Sequence, residues 1–168
     1  MNAAAPFAIG DMSGVGEARR TALWLAARMG FGEGRAGQLA LVVTELATNL
    51  ATHARNGEIL LRPLDSPSEH PGIEVLAIDA GPGIPDMALS ERDGYSTAGT
   101  LGHGLGAIRR QSDDFWVYTQ PSGTVIAARV ARDAGAAPNQ LPLDIGAVCV
   151  SKPGEDVCGD QWGWHMRA

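Results

Sequence analysis

Three short blocks, in a fixed order, constrain this chain more than anything else in it: Glu45-Leu-Ala-Thr-Asn49, Asp79-Ala-Gly-Pro-Gly83-Ile-Pro85 and Gly102-His-Gly-Leu-Gly106. The first lies in a stretch of helical spacing, so Glu45 and Asn49, four residues apart, project from one face. The second ends an apolar run with an acid that enters a glycine turn. The third is a glycine loop opening a helix, where free backbone N–H groups and the positive end of the helix dipole can cradle phosphates. Singly, each block has a plain reading: a solvated helix face, an Asx-type strand end, a tight turn. In this order they suit the handling of a nucleotide triphosphate.

The spacing around the blocks sets the fold expected. Phe7-Ala-Ile9 fits a short strand. From Gly14 to Gly30, Val15, Ala18, Ala22, Leu25, Ala26 and Met29 recur at helical period. Gly30-Phe-Gly-Glu-Gly34 breaks that pattern, and a second helix is predicted from about Arg35 to Ala54, with Leu39, Val42, Val43, Leu46 and Leu50 as its core stripe. Asn56-Gly57 ends it and starts a strand, Glu58–Arg62. The polar stretch Asp65–Pro71 reads as a hairpin loop leading to Ile73–Ile78, an apolar strand expected at the centre of a sheet. Gly83–Gly102 reads as a polar lid with a short helix around Asp86–Asp93. Gly104–Gln111 is a short helix, and Asp114–Tyr118 and Thr124–Val130 are strands joined by Gln120-Pro-Ser-Gly123. The sum is an α+β, two-layer α/β sandwich: a mixed or antiparallel sheet with helices on one face.

Composition narrows the partners. A chain of 168 residues holds one ordinary domain and a fragment of something else. Its net charge of −6 argues against non-specific nucleic-acid binding, which needs basic surface to neutralise phosphates. Cys149 and Cys158 have neither a second pair nor histidines at zinc spacing and are read as reduced thiols. No segment reads as a membrane span or a secretion signal, so the expectation is a cytoplasmic protein with protein and small-molecule partners, no nucleic acid and no membrane.

An amide oxygen such as that of Asn49 suits Mg²⁺, which keeps several waters and completes its shell with nucleotide phosphates. Glu45 can then act as general base or orient the nucleophile that attacks the γ-phosphate. Asp79 can accept from the exocyclic amine of adenine while Gly83 lets a flat base approach the backbone. The Gly102–Gly106 loop is neither a Rossmann fingerprint nor a P-loop: no apolar strand feeds it directly, and the lysine and hydroxyl of a P-loop are absent.

With these residues in hand, the blocks resemble the N, G1 and G2 boxes of the GHKL ATPase superfamily (the Bergerat fold). Phe7 to Val130 resembles, within it, the small anti-sigma serine/threonine kinases of the RsbT switch type. The closer likeness rests on Thr44-Glu-Leu-Ala-Thr-Asn49, Asp79-Ala-Gly-Pro-Gly-Ile-Pro85, and Asp93-Gly-Tyr-Ser-Thr97 running into Gly102-His-Gly-Leu-Gly106. The resemblance implies ATP or ADP with Mg²⁺ as ligands, Asn49 as the metal residue and Glu45 as catalytic base. It implies Asp79 and Gly83 at adenine with Thr124 helping Asp79, and Gly102, Gly104, Leu105 and Gly106 at the phosphates, joined by Ser96, Thr97 and Thr100 from the lid; Gly81, Ile84, Leu101 and His103 complete the implied nucleotide-binding set. His53 is expected to pack the helix or support the site from behind. The implied activity is phosphorylation of a STAS-domain antagonist or other sigma-pathway regulator; the alternative is a non-catalytic nucleotide-sensing module. A homodimer is compatible with either.

Residues 1–131 are therefore expected to form the ATP-binding domain and 132–143 a linker. Residues 144–168 resemble the opening of a metal-dependent phosphatase domain of the sporulation stage II protein E class. In that likeness Asp160 is a metal carboxylate, in a segment too short to be active by itself.

Overall fold

The computed structural model describes residues 6–65, 70–84 and 104–135. In chain order they form β1 (Phe7–Ala8), α1 (Met12–Arg28), α2 (Glu33–His53), β2 (Glu58–Leu64), β3 (Gly72–Asp79), α3 (Gly104–Gln111), β4 (Asp114–Gln120) and β5 (Gly123–Ala131). The five strands make one sheet in the order β1-β2-β3-β5-β4. Every neighbouring pair is antiparallel, which decides between the mixed and antiparallel expectations. The β4–β5 pair needs only a tight turn at Pro121-Ser122, and β3 occupies the centre as its apolar run requires.

Alternate residues of the strands face the helices. Ile59 and Leu61 of β2, Ile73, Val75 and Ala77 of β3, and Ile126, Ala128 and Val130 of β5 enter one core with the stripes of α1 and α2 and with Leu105 and Ile108 of α3. On α1 the inward stripe is small: Ala18, Ala22 and Ala26 are wholly buried, so α1 seats closely on α2 through a seam of methyl groups. The opposite face of the sheet carries Arg62, Glu74, Arg129 and Asp114 in one register row across β2, β3, β5 and β4. Their signs alternate along the row; Arg62 pairs with Glu74 at 2.8 Å, and Arg129 stands 3.9 Å from Asp114.

Several element boundaries lie one or two residues from those expected, and two of them have a clear local reason. Helix α1 begins at Met12 rather than Gly14 because Asp11 caps it, its carboxylate accepting from the N–H groups of Ser13 and Gly14 at 2.8 and 3.3 Å. Strand β2 runs two residues beyond Arg62, through Pro63 to Leu64. Beyond Ile59 the outer edge of β2 has no strand partner among the described residues, so a proline there removes no ladder bond on that side.

A polar staple holds one end of the sandwich. Arg35 at the start of α2 donates from Nε to the carbonyl of Ala131 at 2.8 Å and pairs through its guanidinium with Asp113, which in turn accepts Ala131 N–H at 2.7 Å. The start of α2 is thereby fixed to the far end of β5, leaving the end of the sheet at Asp79 and Thr124 beside the C-terminal half of α2. The expected helix at 86–93, the rest of the lid, loop residues 66–69, most of the linker, and the segment 144–168 with Cys149, Cys158 and Asp160 lie outside the described residues.

Candidate functional site

The site is built at the C-terminal end of β3. Antiparallel register sets Asp79 opposite Thr124, and Thr124 opposite Thr119, so the three side chains form one row across β3, β5 and β4 on the helix side of the sheet. Directly opposed residues have Cβ atoms about 4.5–5.5 Å apart. The next row down, Ala77, Ile126 and Val117, is apolar and belongs to the core or packs on it. A polar rim on an apolar floor results, suited to the edge and face of a heteroaromatic ring.

The glycine turn after Asp79 is held on three sides. Asp79 Oδ1 accepts Gly81 N–H at 2.6 Å, the carbonyl of Arg55 accepts Ala80 N–H at 2.9 Å, and Thr119 Oγ1 accepts Ile84 N–H at 2.8 Å. Gly83 adopts φ +76°, and a Cβ there would fall inside van der Waals contact of the Gln120 carbonyl. The turn can therefore lie flat on the β4–β5 hairpin only with glycine at this position. At Gly81 a Cβ would come within 2.8 Å of Asp79 Oδ1 and push the carboxylate out of its place.

The helices supply the other wall. Glu45 and Asn49 are one turn apart on α2 and both half-buried, their backs closed by Leu46 and Leu50 in the core. The carboxamide of Asn49 lies against the first residue of α3: a Cβ on Gly104 would stand 3.3 Å from its Oδ1 and 3.4 Å from its Nδ2. The first four N–H groups of a helix have no intrahelical partner, so the opening turn of α3 presents donors beside that amide. Leu105 sends its side chain into the core, so what it can offer a phosphate is its backbone N–H. These residues fit a magnesium–nucleotide group: an amide oxygen as hard ligand, a nest of N–H donors, and glycine where a side chain would intrude.

Of the residues expected from sequence, Glu45, Asn49, Asp79, Gly81, Gly83, Ile84, Gly104, Leu105, Gly106 and Thr124 come together around the end of β3, the second half of α2 and the start of α3. Ser96, Thr97, Thr100, Leu101, Gly102 and His103 lie outside the described residues. His53 has an exposed side chain rather than a packed one; its carbonyl, not its ring, approaches the glycine turn, 3.4 Å from where a Gly81 Cβ would lie. Thr119 was not foreseen. Its signal was legible: with Pro121-Ser122 read as a two-residue turn, the hairpin register itself pairs Thr119 with Thr124.

A model of the histidine kinase-like ATPase domain family matches residues 11–130, a span that holds every described element except β1 and the last residue of β5. The chain belongs to that family. The Bacillus subtilis (strain 168) serine/threonine-protein kinase RsbT is 35% identical to the chain over 98 residues, 58% of this chain and 73% of RsbT. Among solved structures, the histidine kinase domain from Erythrobacter litoralis EL346 blue-light activated histidine kinase is similar at a TM-score of 0.41 and 24% identity, over 58% of this chain and 48% of that one. The mycobacterial sensor histidine kinase MprB is similar at a TM-score of 0.48 and 19% identity, over 76% of this chain and 97% of that one. The chain thus spans about half the length of the first of these structures. No helix among the described residues is long and apolar enough to cross a membrane.

Proposed function

We propose that the protein is an ATP-dependent serine/threonine kinase of the anti-sigma switch type, acting in the cytoplasm on a STAS-domain antagonist or a related sigma-pathway regulator. The observation that carries this reading is the placement of Glu45 one turn ahead of Asn49, whose carboxamide meets the opening of α3. The same end of the molecule carries an acceptor, Asp79, and a donor-capable hydroxyl, Thr124, side by side in register. The likeness to RsbT, a serine/threonine-protein kinase by name, supports the same activity.

In this reading adenine enters the floor between β3 and β5, its exocyclic amine donating to Asp79, with Gly81, Gly83 and Ile84 along its face and Thr124 at its edge. Gly104, Leu105 and Gly106 donate backbone N–H groups to the phosphates, and Ser96, Thr97, Thr100, Leu101, Gly102 and His103 add contacts from the lid. Asn49 would hold Mg²⁺, which would supply neutralisation of the phosphate charge. Glu45 takes the proton from the acceptor hydroxyl as its oxygen bonds to the γ-phosphorus; the bond from that phosphorus to the β–γ bridging oxygen breaks and ADP leaves. Incubation with labelled ATP and a panel of STAS-domain proteins tests the proposal. Label on a serine or threonine of one of them, lost with Asn49→Ala and Glu45→Gln, is the expected result. Saturable ATP binding with no transfer to any acceptor would leave a nucleotide sensor instead.

A further inference from the structure

The side chain of Thr119 sits where the glycine turn, the β4–β5 hairpin and the Asp79 row meet. Its Oγ1 accepts Ile84 N–H at 2.8 Å and lies 3.2 Å from Thr124 Oγ1. A threonine hydroxyl has one proton to give and two lone pairs with which to accept. Beyond Thr124 in the same row stands Asp79, whose carboxylate only accepts. Thr124 is buried, 5% exposed, so its proton goes to a neighbour in the row, on the Thr119 side or on the Asp79 side.

Ile84 N–H donates to Thr119, and either hydroxyl can donate in the Thr119–Thr124 contact. With the acceptor Asp79 beyond Thr124, the arrangement in which Thr119 donates to Thr124 leaves Thr124 its own proton to present beside Asp79. We propose that Thr119 is a positioning residue that sets Thr124 as a hydrogen-bond donor and thereby selects adenine over 6-oxopurines. The inference rests on the ATP-site reading above and specifies how that site tells bases apart. The edge offered by Thr124 and Asp79 is a donor next to an acceptor. Adenine answers it with an acceptor at N1 and a donor at N6. Hypoxanthine and guanine present the reverse, a donor at N1 and an acceptor at O6, so both contacts oppose like with like. Without the Thr119 hydroxyl, Thr124 can turn over and accept, and the edge loses its polarity.

The test is calorimetric binding of ATP and inosine triphosphate, each with Mg²⁺, to wild type, Thr119→Val and Thr119→Ser. Inosine triphosphate reverses the N1 and C6 groups without the extra amine of guanine. Wild type is expected to prefer ATP by at least about tenfold, the equivalent of one net hydrogen bond. Thr119→Val, of the same shape but without the hydroxyl, is expected to weaken ATP about tenfold and narrow the ATP-to-inosine preference by a similar factor. Thr119→Ser restores both. Equal losses for the two nucleotides in Thr119→Val would mean a purely structural role and overturn the inference. So would wild type binding inosine triphosphate as tightly as ATP, an outcome that does not depend on any variant folding. Failure of wild type to bind ATP at all would instead refute the underlying site.

Discussion

A methyl group on Gly83 is the sharpest small perturbation available to this site. Gly83 has φ +76°, where an L-residue with a Cβ costs about 1–2 kcal/mol. That Cβ would also meet the Gln120 carbonyl and come within 3.1 Å of Thr119 Oγ1. Lifting the turn off the hairpin relieves that strain but gives up the Ile84 N–H to Thr119 bond. The closed turn is disfavoured by at least the backbone strain of about 1–2 kcal/mol, which at about 1.4 kcal/mol per decade is a factor of about 5 to 30. If ATP needs the closed turn, its apparent affinity falls by that factor. Calorimetric titration of Gly83→Ala with Mg-ATP measures it, and Gly30→Ala is the control. Gly30 has nearly the same backbone, φ +73°, but nothing within 4 Å of its missing Cβ, and it lies in the α1–α2 connection at the other end of α2. Gly30→Ala should lower thermal stability slightly and leave ATP affinity unchanged. Gly83→Ala binding ATP within threefold of wild type, or both variants losing affinity alike, would mean that ATP does not need the closed turn.

Three further outcomes follow from the same structure. Glu45→Gln should bind Mg-ATP with wild-type affinity by calorimetry yet lose phosphotransfer by at least about a hundredfold, since it removes proton acceptance and little else. Arg35→Met should lower unfolding free energy by about 2 kcal/mol in urea, because it leaves Asp113 and the Ala131 carbonyl without their cationic partner, while ATP affinity stays unchanged at the opposite end of the sheet. The Asp11 carboxyl is held below its ordinary value of 3.8 by its bonds from the Ser13 hydroxyl, the Ser13 N–H and the Gly14 N–H. Its contribution is therefore complete above about pH 4 and lost as the pH falls through the lowered value; Asp11→Asn, which keeps the cap, should remove that step from the acid melting profile.

What could be read in the sequence follows from how local each determinant is. The stripes of α1 and α2 and the apolar run of β3 are local patterns, and each element formed where its pattern lay. The span Gly104–Gln111 was legible to the residue, because a glycine loop opens it and a polar turn closes it. The start of α1 was missed by two residues because a cap acts through one side chain, Asp11, rather than through periodicity. The staple of Arg35 to Asp113 was not legible at all: the partners are 78 residues apart, and nothing in either neighbourhood marks the other. At the site, glycines and an acid announced the turn, while the clamp that holds it, Thr119, shows only once strand register is known.

Nucleotide binding at the end of β3 is read most plainly by titrating the full chain with ATP, with and without Mg²⁺, alongside Asp79→Ala and Asn49→Ala. One saturable site is expected in wild type, with binding abolished in Asp79→Ala and the magnesium enhancement lost in Asn49→Ala. No saturable binding to wild type, or full binding by Asp79→Ala, would mean that the end of β3 is not a nucleotide site.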